Sequence, residues 1–125
     1  MKNNIVKNKS FDFAIRIVKL YQYLSSEKKE FILSKQLLRS ETSIGAMIRE
    51  AEHAESKSDF IHKFAVAQKE ANEVIYWLEL LKATDYLNQK EFENINNDAV
   101  SILKLITSII KTSKSQLSKS RLLPN

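Results

Sequence analysis

Apolar residues recur at alternating spacings of four and three along two stretches of the chain. The first is Phe60, Phe64, Ala67, Ala71, Val74, Leu78 and Leu81; the second is Phe92, Ile95, Ala99, Ile102, Ile106 and Ile109. Such spacing aligns side chains on one face of an α-helix, and that face needs a partner helix to cover it. Two further stripes precede them. Ala14, Ile17, Tyr21 and Leu24 form one; Leu33, Leu37, Ser40, Ile44, Met47, Ala51 and Ala54 form the other. The pattern predicts four helices, over residues 10–25, 30–56, 59–84 and 89–113. Ser10 and Ser58 are the expected caps of the first and third, and Asn88 with Glu91 is a capping box for the fourth. Residues 25–29 read as a turn, 1–9 as a frayed end and 114–125 as a mobile Ser/Lys-rich tail. With connections this short, the expected architecture is all-α: an antiparallel up-down-up-down four-helix bundle in one domain. One glycine and one proline in 125 residues leave such helices almost unbroken.

The third helix has more apolar surface than one seam needs. Ile61, Val66, Ile75, Tyr76, Trp77 and Leu80 lie outside its stripe. Leaving a large apolar side chain in water forfeits about 1.5–3 kcal/mol. The expected consequence is a subunit interface on this helix, centred on Val66, Trp77 and Leu80. Glu70 and Glu73 lie beside it, with Arg39 or Arg49 as candidate partners for their charges.

Charge alters the picture more by its placement than by its total. The net charge is +5, and hydrophobic and charged contents of 43% and 28% are ordinary for a globular protein. Residues 1–39 carry +6, residues 49–98 carry −5, and residues 99–125 carry +5 with no acid at all. Both ends are therefore basic and the middle acidic. Lys2, Lys7, Lys9, Arg16, Lys19, Lys104, Lys111 and Lys114, on helices one and four, are candidate contacts for RNA or DNA. Few aromatics accompany them, so selectivity by base stacking is not expected. A protein–protein adaptor, docking a partner through the third helix, is the alternative.

Catalytic chemistry finds little support. The chain has no cysteine, and its single glycine, Gly45, rules out a glycine-rich phosphate loop. Glu50 with His53 and Asp59 with His62 have the i, i+3 spacing of carboxylate-bridged metal sites in bundles. They fall off the seam near a turn, and no carboxylate sits on a seam position of helix one or four. Neither an enzyme nor a metal or other cofactor is expected. The N-terminal segment has basic residues without an apolar run behind them, unlike a signal peptide. No apolar run reaches the roughly 18 residues of a membrane span. The expected location is the cytoplasm.

The segment from Arg39 to Ala46 is odd for a helix interior, because Ser, Thr and Gly are poor helix formers. It belongs to an ordered set of short motifs. Gln36-Leu37-Leu38-Arg39-Ser40 is followed by Thr42-Ser43-Ile44-Gly45-Ala46, then Glu50-Ala51, then residues 56–63, then Lys69-Glu70-Ala71-Asn72-Glu73, and finally residues 76–81. This set resembles the bacterial four-helix bundle proteins encoded in intervening sequences of 23S rRNA genes, over residues 11–110 and most strongly over 36–81. The resemblance implies a non-catalytic bundle assembled as a ring, a homopentamer. Relatives include the accessory protein of diversity-generating retroelements, a basic bundle that engages a reverse transcriptase and nucleic acid. Two positions depart from the pattern. Similar sequences usually have Asn in place of Met47 and Gly in place of Glu41.

Overall fold

The computed structural model describes residues 2–122, and the side chains of residues 3–121. Four helices make up the fold: α1 (Lys2–Ser26), α2 (Leu33–Ala51), α3 (Lys57–Ala83) and α4 (Gln89–Leu122). Each packs against the next, α4 closes back onto α1, and the diagonal pairs do not approach. Cross-helix bonds pair the starts of α1 and α3 with the ends of α2 and α4: Lys7 with Glu52, Lys63 with Glu50, Lys57 with Gln116. Neighbours are thus antiparallel, in an up-down-up-down bundle.

The seam positions of α3 and α4 fill the core. Phe64, Ala67, Ala71, Val74, Leu78 and Leu81 are buried from α3, and Ala99, Ile102, Ile106 and Ile109 from α4. Phe60 lies half-buried at the end of the row, its ring 4.9 Å from that of Phe64.

α1 differs from its expected form. It begins at Lys2, and its buried face is Val6, Ser10, Phe13, Ile17, Leu20 and Leu24. Ala14 and Tyr21 are only half-buried. The N-terminal residues are therefore helical because Val6 shares the core face with Phe13 and Ile17. Ser10 is no cap: it sits mid-helix, and its hydroxyl donates to the Lys7 carbonyl at 2.9 Å. At the other end of the chain, α4 runs on to Leu122, through most of the segment read as a tail; residues 123–125 lie outside the described residues.

The connections explain the remaining boundaries. Lys29 takes a positive φ of 56°, which turns the chain before α2. Glu30 then caps α2 from outside it. Its carboxylate accepts the backbone N–H groups of Ile32, Leu33 and Ser34 at 3.1, 2.9 and 2.7 Å, and the Ser34 hydroxyl donates to the Glu30 carbonyl. Burial pushes the Glu30 carboxyl up, but the N–H bonds from Leu33, Ser34 and Ile32 outweigh it and hold the pKa below the ordinary value. Stability from this cap is present above that ordinary value and is lost as pH falls through the depressed one. We expect Glu30→Ala to cost about 1–2 kcal/mol at pH 7, read by urea denaturation, and the loss to shrink in acid. At α3 the cap is Ser56 rather than Ser58. Ser56 Oγ accepts the Asp59 N–H at 3.0 Å, and the Asp59 carboxylate accepts the Glu55 N–H at 3.1 Å. Asn88 and Glu91 form the reciprocal pair that opens α4, at 2.8 and 2.9 Å.

Candidate functional site

Two of the eight basic candidates are held by acidic partners of the same chain. Arg16 donates to the Asp98 carboxylate and the Asn94 side-chain carbonyl, so it clips α1 to α4. The Lys7 ammonium bonds Glu52 at 2.8 Å and holds that carboxyl below its usual range. Both cations are thus engaged by partly exposed partners on neighbouring elements of the same chain. Lys9 is half-buried, Lys19 is exposed on α1, and Lys2 opens α1 with its side chain outside the described residues. Lys104, Lys111 and Lys114 are exposed on α4 and make no ion pair among the described residues. Lys104 and Lys111 are seven residues apart, hence on one face about 10 Å from each other. Lys119 and Arg121 are also exposed near the end of α4, on opposite flanks of that face.

α4 also outreaches its neighbours. Asn3, at the start of α1, lines a depression with Thr112, Ser113 and Gln116, and Lys57, at the start of α3, bonds Gln116 at 2.9 Å. Residues 117–122 therefore project past both.

The residues expected at an α3 interface are less exposed than the sequence suggests. Arg39 does meet the two carboxylates, at 3.2 Å to Glu70 and 2.9 Å to Glu73, but within one chain. The trio ties α2 to α3. Val66 and Leu80 are half-buried, and Trp77 packs against the core with its indole N–H buried and unpaired. Tyr76, 57% exposed, is the one large apolar side chain on α3 left open among the described residues. The greater apolar excess lies elsewhere. Ile5, Phe11, Ile15, Val18 and Tyr23 are exposed along α1, and Phe31 and Ile32 on the loop after it.

Between α1 and α2 lies a cleft of about 210 Å³, lined by Lys7, Ser10, Phe11, Ala14, Glu41, Thr42, Gly45, Ala46 and Arg49. Its lining includes a fully buried carboxyl group, Glu41, at 0% exposure, neither of whose oxygens has a hydrogen-bond partner. Burial pushes its pKa up to about 9. Arg49 lies over the Phe11 ring at 5.5 Å instead of reaching Glu41. Gly45, one turn on, faces open space: a Cβ there would meet nothing within 4 Å. The sequence signal for this site was the pair of residues Glu41 and Gly45 inside a helix, visible but uninterpretable without α1 alongside.

Glu50, His53 and Asp59 line a broad, open depression of about 610 Å³, together with Arg49, Glu55 and Lys63. Lys63 bonds Glu50 at 3.1 Å there. No cluster of three potential metal ligands occurs among the described residues, and no described helix is long and apolar enough to cross a membrane.

A family profile described as 23S rRNA-intervening sequence protein matches residues 2–108. Among solved structures, the chain is similar to a protein of unknown function from the S23 ribosomal protein family of Bacteroides thetaiotaomicron. The two are 60% identical, with a TM-score of 0.87, over 89% of this chain and 99% of that one. No curated protein matches.

Proposed function

We propose, from the premise that this chain belongs to the 23S rRNA-intervening sequence protein family, that it is a non-catalytic module that assembles with copies of itself and holds nucleic acid on the outer face of α4. The observation that carries the second half is the free lysine ladder. Lys104, Lys111 and Lys114 are exposed and unpaired, on a segment with no acidic residue from position 99 onward. Lys7 and Arg16 are already neutralised by Glu52 and Asp98, so they add little. Assembly is supported by the apolar side chains left open along α1, each costing free energy in an isolated bundle. A pentameric ring is the form implied by the resemblance, and a cytoplasmic location accords with this reading.

Fluorescence anisotropy with a labelled single-stranded RNA tests the α4 surface. Affinity should fall with salt by about 0.7 log units per phosphate contact for each tenfold rise in salt. The triple variant Lys104→Gln, Lys111→Gln, Lys114→Gln should bind at least about tenfold more weakly at low salt and show a shallower salt slope. No binding by the unaltered protein at low salt would refute the nucleic-acid half. It would leave the adaptor reading, which the exposed Phe31 and Ile32 at one end of the bundle favour.

A further inference from the structure

Glu41 is a polar group that the chain buries without supplying it a partner. A buried carboxyl with two unpaired oxygens is costly, and a donor arriving through the adjoining cleft would relieve that cost. The charged groups lining the cleft are Lys7 from α1 and Arg49 from α2; α3 and α4 contribute none. Lys7 is bonded to Glu52 and Arg49 is stacked on Phe11, so neither serves Glu41. Phe11, Ala14, Gly45 and Ala46 supply apolar lining to the cleft, beside the hydroxyl-bearing Ser10 and Thr42. A slender aliphatic stem with a cationic end suits this shape: apolar sides for the methylenes, a carboxyl for the head.

The same chain presents such a group on a different face. Lys69 is exposed on α3 and makes no ion pair among the described residues. Tyr76 lies seven residues on, hence on the same face two turns away. The outer face of α3 thus offers a free cation and, about 10 Å along the same face, an exposed aromatic ring. The lysines of α4 have no exposed large apolar side chain beside them.

We propose that the α1–α2 cleft is the socket of the subunit contact, in which Lys69 of a second copy enters to pair with Glu41 while Tyr76 of that copy covers Phe11, Ile15 and Val18. The inference rests on the self-assembly reading and names its contact. Socket and plug lie on different faces, so the contact is heterologous and can close into a ring.

Light scattering over a dilution series, on the unaltered protein, Glu41→Gln, Lys69→Gln and the double variant, tests this. Each single substitution should raise the dissociation constant at least about tenfold. The double variant should be no worse than the weaker single one, since both remove one pair. Circular dichroism and urea denaturation accompany each, because loss of the Glu41 carboxyl should leave the isolated bundle at least as stable. An oligomer indifferent to Glu41→Gln overturns the socket and leaves self-assembly standing. An oligomer sensitive to Glu41→Gln but indifferent to Lys69→Gln overturns the pairing. A monomer at every concentration overturns the assembly reading and this contact with it.

Discussion

In dilute, monomeric protein, Glu41→Leu should raise the stability of the bundle at pH 7 by about 3 kcal/mol and remove most of its pH dependence above pH 5. The sign follows from the proton count. Unfolded, the carboxyl releases its proton near 4.5; folded, burial holds the proton to about 9. Between these values the folded state binds one proton more than the unfolded state. Stability is therefore fully present below the lower value and falls as pH rises, by up to about 1.4 kcal/mol per unit, until the upper value is passed. Leucine removes the titrating group and keeps an apolar side chain against the core. Urea denaturation of both proteins at pH 5, 7 and 9 reads the difference directly. If the unaltered monomer proves flat across this range, Glu41 is ionised and paired within its own chain, and Lys7 or Arg49 has moved to reach it.

Val6→Asp should cost about 3–5 kcal/mol, the other large effect. Val6 is fully buried, one and two turns from Ser10 and Phe13 on the core face of α1. An aspartate there brings a charge into the core with no cation among its buried neighbours. The same substitution in a frayed end would be nearly silent, so the result decides between the two readings of residues 2–9. A melting temperature within a degree or two of the unaltered protein would place the start of α1 outside the cooperative fold.

Legibility in the sequence followed the density of apolar residues. In α3 and α4 the four-three spacing is unbroken, and the structure buries those stripes apart from Phe60, Phe92 and Ile95 at their ends, which are half-buried. α1 was harder because Ile5 and Val6 are separated from Phe11 and Phe13 by polar residues, one of which, Ser10, is buried. A buried serine that bonds its own helix looks, in sequence, like a cap. The start of α2 was misread for the opposite reason. Phe31 and Ile32 are apolar but exposed, whereas Glu30 is acidic and buried because three backbone N–H groups hold it. Of the two candidate partners for Glu70 and Glu73, Arg39 meets both carboxylates within the chain and Arg49 lies over Phe11. Whether such a pair closes within a chain or between chains depends on the lateral position of α2, which no linear pattern gives. The Glu41 cleft combines two helices, and neither half announces it alone.

The overhang of α4 has an electrostatic consequence. Residues 117–122 extend past the starts of both neighbours, and Lys119 and Arg121 occupy the last turn. Cations in that position offset the partial negative charge of the exposed terminal carbonyls. A polyanion that draws those two side chains onto its phosphates withdraws that compensation from the rod's tip. Ligand capture and unwinding of the final turns are then thermodynamically linked. For a polyanion bound in that way, whatever tightens the tip, a lower temperature or a helix-favouring cosolvent, would compete with it for the same two charges.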